Sequence, residues 1–183
     1  MKRSQRGTKN TSVIAVVLTA ILVAFVSKIL FLDVMRVQGG SMIPTLRSGE
    51  VLFVDRWAFG AQLPFVNRYL LLWGTPLRNS LVVFQNPIDG ILVVKRCIGL
   101  QGDAIRVENN TLTIGTRSVP ITEEEAHRFE AYSAVPQGTI FALGDNVSVS
   151  EDSRVYGFIP VSHLFGRVMF DLRGDSLGGG NNG

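Results

Sequence analysis

The chain has 183 residues, 46% of them apolar, with a formal charge of +3 and a pI near 9.4. That length suits one domain, or one domain behind a membrane anchor. Residues 1–33 hold five Lys/Arg and one acid, whereas the remainder holds 13 Lys/Arg against 14 Asp/Glu. The basicity therefore belongs to the N-terminal tail, which argues against a nucleic-acid partner for the body of the protein. A single cysteine, Cys97, allows no internal disulfide, and no Cys/His cluster has metal-ligand spacing.

Residues 1–12 form a polar, basic tail. From Val13 to Leu32 the chain is apolar except for hydroxyls and Lys28, a run of 20 positions. A helix of about that length crosses a hydrocarbon core of roughly 30 Å. Lys28, near the far end, can extend its stem to the interface. With Lys2, Arg3, Arg6 and Lys9 in front, the positive-inside rule puts the N-terminus in the cytoplasm and everything after Asp33 outside. A cleaved signal peptide is disfavoured, because no Ala-x-Ala site follows the run. The expected organisation is a cytoplasmic tail (1–12), a transmembrane anchor (13–32), an exported β-rich domain (33–177) and a flexible tail (178–183) rich in glycine and asparagine.

Beyond the anchor the signals are those of strands. Short β-branched or aromatic runs cover 51–54, 81–84, 91–98, 104–108, 111–114, 139–143 and 166–170, and turn-forming residues separate most of them. Asn109-Asn110 reads as a hairpin turn, and 123–130 as one short helix. The pattern predicts a mostly β fold, a compact antiparallel sheet domain. Residues 59–74, aromatic-rich and almost uncharged, allow two readings, core or an apolar patch that touches lipid.

Three stretches carry chemistry. In Gly39-Gly40-Ser41-Met42-Ile43-Pro44 a serine sits on a diglycine turn stiffened by proline, an arrangement able to hold a hydroxyl exposed at a fixed angle. Serine needs a base to become a nucleophile. After Asp33 the chain has twelve arginines and one lysine, Lys95. Arginine stays protonated, whereas a desolvated lysine can lose its proton. On a strand, Lys95 shares its face with Val93 and Cys97, so the alternatives are a buried base and an edge lysine reaching water. His127 and His163 keep a Ser-His arrangement open. The third stretch, 144–154, is dense in carboxylates and hydroxyls and follows an apolar strand.

Together these stretches resemble the type I signal peptidase family, membrane-bound Ser/Lys proteases. Residues 40–46 look like the nucleophile box, 95–103 like the general-base box, and Gly144-Asp145-Asn146 with Ser150, Asp152, Ser153, Arg154 and Gly157 like the third box. The resemblance implies Ser41 as nucleophile, Lys95 as general base and Ser150 as the hydroxyl that orients the amine. It implies Asp145, Asp152 and Arg154 as an ion-pair network supporting the site, and the Ser41 N–H as one oxyanion donor. No metal or organic cofactor is implied. The implied partners are the lipid bilayer and signal peptides with small residues at −1 and −3, added as a strand to an exposed edge near Ser41, and the implied state is a monomer in a bacterial plasma membrane. Gly39 stands where some members carry a serine donating to the oxyanion, and Glu50 where aspartate is common. The alternatives are a specialised processing peptidase of a secretion or conjugation system, a self-cleaving repressor relative, a Ser-His hydrolase and a non-catalytic anchored β module.

Overall fold

The computed structural model describes residues 13–23, 32–62 and 69–171. A helix, α1, covers 13–23 with exposed side chains. Among the described residues no helix is long and apolar enough to cross a membrane. The span expected over 13–32 lies partly outside the described residues, and the 1–12 and 178–183 tails lie wholly outside them. Leu32, counted above as the end of the apolar run, instead opens strand β1.

The strands are β1 (Leu32–Arg36), β2 (Val51–Asp55), β3 (Gly60–Gln62), β4 (Tyr69–Leu72), β5 (Leu81–Gln85), β6 (Leu92–Leu100), β7 (Ile105–Glu108), β8 (Thr111–Ile114), β9 (Arg117–Pro120), β10 (Thr139–Leu143), β11 (Ile159–Pro160) and β12 (Leu164–Asp171). Helix α2 spans Glu123–Phe129 and α3 spans Ser153–Tyr156. Seven strands form one antiparallel sheet in the order β1-β2-β12-β5-β6-β10-β11, while β3-β4 and β7-β8-β9 form smaller sheets.

β5 reads as a continuous apolar run because both of its faces are covered. Leu81 and Val83 join a core with Met42, Leu46, Leu52 and Val54, whereas Val82 and Phe84 join another with Phe59, Cys97, Ile140 and Ile159. The third core lies between the small sheet, α2 and β10, where Phe129 meets Phe141 edge-on at 5.4 Å and Phe158 at 5.6 Å. Such aromatic pairs contribute about 0.5–1.5 kcal/mol each beyond the area they bury. Thr122 starts α2 with a capping box, its side chain accepting from Glu125 N while Glu125 accepts from Thr122 N.

The predicted antiparallel β domain is present, and Asn109 and Asn110 do turn a hairpin, both at positive φ (48° and 57°). Strands β1, β3, β4, β9 and β11 were not expected. β1 directly follows the apolar run, and β3 and β11 are only three and two residues long, so their sequence carries little strand signal. The two readings of 59–74 each hold in part. Phe59 is 1% exposed, but Leu70, Leu71, Leu72 and Trp73 stand 46–68% exposed along and just after β4.

Candidate active site

Ser41 lies in the loop between β1 and β2. Two residues that follow it anchor this loop: Met42 (2% exposed) and Leu46 (0%) are buried in one core with Leu52, Val54 and Val83. Leu46 N donates to Met42 O at 2.9 Å, and Ile43 N to Gly40 O at 3.2 Å. Glu50 closes the far end by accepting from Arg47 N at 3.0 Å, which a carboxylate one methylene longer than aspartate does without difficulty. Gly39 has φ +83°, a conformation natural to glycine, and the place its Cβ would take is open, with nothing within 4 Å.

Lys95 pairs with Val82 of β5 across the sheet and is 3% exposed. It shares its face with Cys97, fully buried, whose thiol burial pushes up to about 12. Burial also lowers the Lys95 pKa below the ordinary lysine value; Asp152 opposes this and Arg154 adds to it. The lysine is therefore buried and not an edge residue reaching water. Its Nζ lies 2.9 Å from Ser150 Oγ.

Gly144 joins these parts. A Cβ placed on it would stand 2.1 Å from Ser150 Oγ and 2.6 Å from the Ser41 carbonyl oxygen. Any side chain would collide with both, so only glycine lets the two loops close on each other. Asn146 completes the join: its N–H donates to Ser41 O at 2.9 Å, and its Nδ2 to Gly40 O at 3.2 Å. Among the described residues, no hydrogen bond links Ser41 Oγ to Lys95 Nζ. The two residues meet through Gly144 and Ser150.

The carboxylates form two separate pairs and not one network. Asp145 accepts two bonds from Arg96, at 2.7 and 2.6 Å. Burial pushes the Asp145 carboxyl up, but Arg96 and the Thr45 hydroxyl outweigh it and hold it below the usual range. Arg96 also donates to Thr45 Oγ1 (3.1 Å) and Asn79 O (2.8 Å), so one guanidinium ties the lysine strand to both loops. Asp152, fully buried, pairs with Arg154 at 2.9 Å and accepts from Gly144 N at 3.0 Å. Arg154 in turn donates to Val147 O and Ser150 O, which fixes the loop presenting the Ser150 hydroxyl. Sequence reasoning gave no role to Arg96, Thr45, Asn146 or Gly144. Alternation placed Arg96 on the face opposite Lys95, but not its partner across the sheet.

Neither histidine approaches Ser41. His127 is exposed beside Glu130 at 3.3 Å, and His163 lies exposed in a different cleft. Ser41 opens into a mostly apolar cleft of about 380 Å³ between segment 35–39 and segment 91–94, floored by Met42, Leu52 and Val83. β10 ends its pairing with β6 at Leu143 opposite Arg96. On that side Leu92 to Lys95 face no strand among the described residues, leaving an open edge beside the serine.

Comparison with known proteins shows which family the chain belongs to. The sequence model of the family described as "Signal peptidase, peptidase S26" matches residues 10–172. Signal peptidase I of Bacillus caldolyticus is 32% identical over 154 residues, covering 73% of this chain and 75% of that protein. A probable signal peptidase I-1 of Synechocystis is 27% identical, covering 86% and 79%. A crystal structure of a signal peptidase I from Enterococcus faecalis is 32% identical, covers 51% of this chain and 96% of that one, and aligns with a TM-score of 0.39. The chain is thus a serine peptidase. It belongs to the signal peptidase family, peptidase S26.

Proposed function

We propose that the protein is a membrane-anchored endopeptidase that removes signal peptides from exported preproteins with a Ser41/Lys95 dyad. The observation that carries this reading is the buried amine of Lys95, hydrogen-bonded to Ser150 and joined through Gly144 to the Ser41 loop. Neutral Lys95 takes the Ser41 proton as Oγ attacks the scissile carbonyl carbon. The resulting ammonium then protonates the leaving amine, which departs with the mature chain. Water attacks the acyl-serine, its proton passing to Lys95, and the signal peptide leaves as a carboxylic acid. Ser150 orients the amine much as the third member of a triad orients its base. The Ser41 N–H is the first oxyanion donor; because Gly39 has no hydroxyl, the second comes from a backbone amide or water.

The substrate strand adds to the open edge of β6, with small side chains at −1 and −3 entering the cleft beside Ser41. The 13–32 segment anchors the chain with its N-terminus in the cytoplasm, so residues 33–177 act as a monomer at the outer face of a bacterial plasma membrane. The test is cleavage of a preprotein carrying an Ala-x-Ala site. Ser41→Ala and Lys95→Ala should each reduce kcat by about 10³ or more, and Lys95→Arg should be equally inactive because guanidinium keeps its proton. Near wild-type turnover by either alanine variant would sink the dyad.

A further inference from the structure

Helix α3 is a single turn, and it directly follows the loop that carries Ser150. So short a helix leaves carbonyls without partners of its own. The Asp152 carbonyl accepts from Val155 N and Tyr156 N, at 2.8 and 2.9 Å, and the Ser153 carbonyl from Gly157 N at 2.9 Å. The next two carbonyls, of Arg154 and Val155, receive the guanidinium of Arg128. Its Nη1 donates to Arg154 O at 3.1 Å and to Val155 O. Among the described residues Arg128 pairs with no carboxylate, so a surface ion pair does not account for it.

Arg128 reaches α3 from a fixed place. It lies on α2, 26 positions before Arg154. Its neighbour Phe129 is fully buried against Phe141 of β10 and against Phe158, just beyond α3. From Arg154 the path to the base is short. The Arg154 side chain donates to Ser150 O at 3.0 Å and to Val147 O at 2.8 Å. Ser150 Oγ in turn lies 2.9 Å from Lys95 Nζ.

On the peptidase reading above, we infer that Arg128 is a positioning residue for the catalytic base. By capping α3 from the α2 side it fixes the Arg154 backbone, and through Arg154 it keeps the Ser150 hydroxyl on Lys95 Nζ. Arg128 lies outside the cleft that holds Ser41 and touches neither member of the dyad. The unit of β7, β8, β9 and α2 thus braces the site as well as enclosing a core of its own.

The test is Arg128→Met in the full-length protein, assayed on a peptide with an Ala-x-Ala site. Methionine keeps the apolar stem and removes the donors, and position 128 is exposed, so the fold is retained. We expect kcat to fall about tenfold with KM unchanged. The pH limb of kcat/KM should also move upward, toward the ordinary lysine value. Burial is the main cause of the lowered Lys95 pKa, and a loosened loop admits water; Asp152, Arg154 and Glu151, the charges acting on Lys95, sit on that same loop. Thr122→Ala is the control, since it removes the α2 cap and leaves Arg128 in place. It should lower Tm but leave kcat and the midpoint as in the wild type. In a Ser150→Ala background Arg128→Met should have no further effect, because it acts through that hydroxyl. The inference is overturned if Arg128→Met keeps either the wild-type kcat or the wild-type midpoint. It is equally overturned if Thr122→Ala moves both as far, or if the losses of Arg128→Met and Ser150→Ala multiply. Cleavage by Ser41→Ala at the wild-type rate would overturn the peptidase reading instead, and is distinct from all of these results.

Discussion

Lys95 shows how one side chain's chemistry depends on what surrounds it. It is 3% exposed and has one hydroxyl partner, so removing its proton requires less than it would in water. The pH dependence follows directly. On the dyad proposed above, the amine is protonated below the lowered pKa and cannot accept from Ser41, whereas above it the base is ready. We expect kcat/KM to rise with pH along a limb whose midpoint lies below the ordinary lysine value of about 10.4. A limb at that ordinary value would mean the amine is solvated in the working enzyme. Gly144 is as sensitive a position. Gly144→Ala drives a methyl group against Ser150 and the Ser41 carbonyl, and a displacement of about 1 Å can cost on the order of 10² in rate. We expect kcat to fall by that order with KM little changed, measured on a peptide substrate. A kcat close to wild type would show that the two loops can separate without harm.

At the scale of elements, the length of β10 matters most. Because its pairing stops at Leu143 opposite Arg96, the first half of β6 keeps unused backbone donors and acceptors next to the serine. On the proposed mode of substrate binding, a longer β10 would fill the edge to which the substrate strand adds. Sheets usually protect such edges, and here the neighbouring 35–39 segment narrows it to a cleft. Methylating a substrate amide N–H within the three residues before the cut removes one strand hydrogen bond without changing the side chain. The expected result is a loss of about tenfold in kcat/KM at the position that faces a β6 carbonyl. Equal rates for every methylated peptide would argue against strand addition. The bidentate Arg96–Asp145 pair belongs to this scale too, since it holds β6, the Thr45 loop and the 144–154 loop in one register.

At the scale of the whole molecule, three cores hold three sheets together, and the site lies where the large sheet meets two loops rather than on any one element. On the topology proposed above, the basic tail and apolar run orient this body with its C-terminus outside the cytoplasm. A reporter that folds only outside the cytoplasm, fused after Gly183, should therefore be active in cells. Activity from a reporter confined to the cytoplasm would reverse the topology proposed here.

Much of this protein is legible in its residues. Short β-branched or aromatic runs bounded by turn residues identify β2, β5, β6, β7, β8, β10 and β12, because the residue preferences of strands and turns are local. The scarcity of lysine singles out Lys95 for a similar reason: which side chains can lose a proton is a property of residue type. Ser41, Lys95 and Ser150 were named from these signals and from the family resemblance. The tertiary structure alone decided the rest. That Asp145 pairs with Arg96, that Gly144 is the contact between two loops, and that β10 stops short of Lys95 all depend on pairings between segments about 50 to 100 residues apart. Such contacts are set by sheet register and packing, which no local pattern encodes.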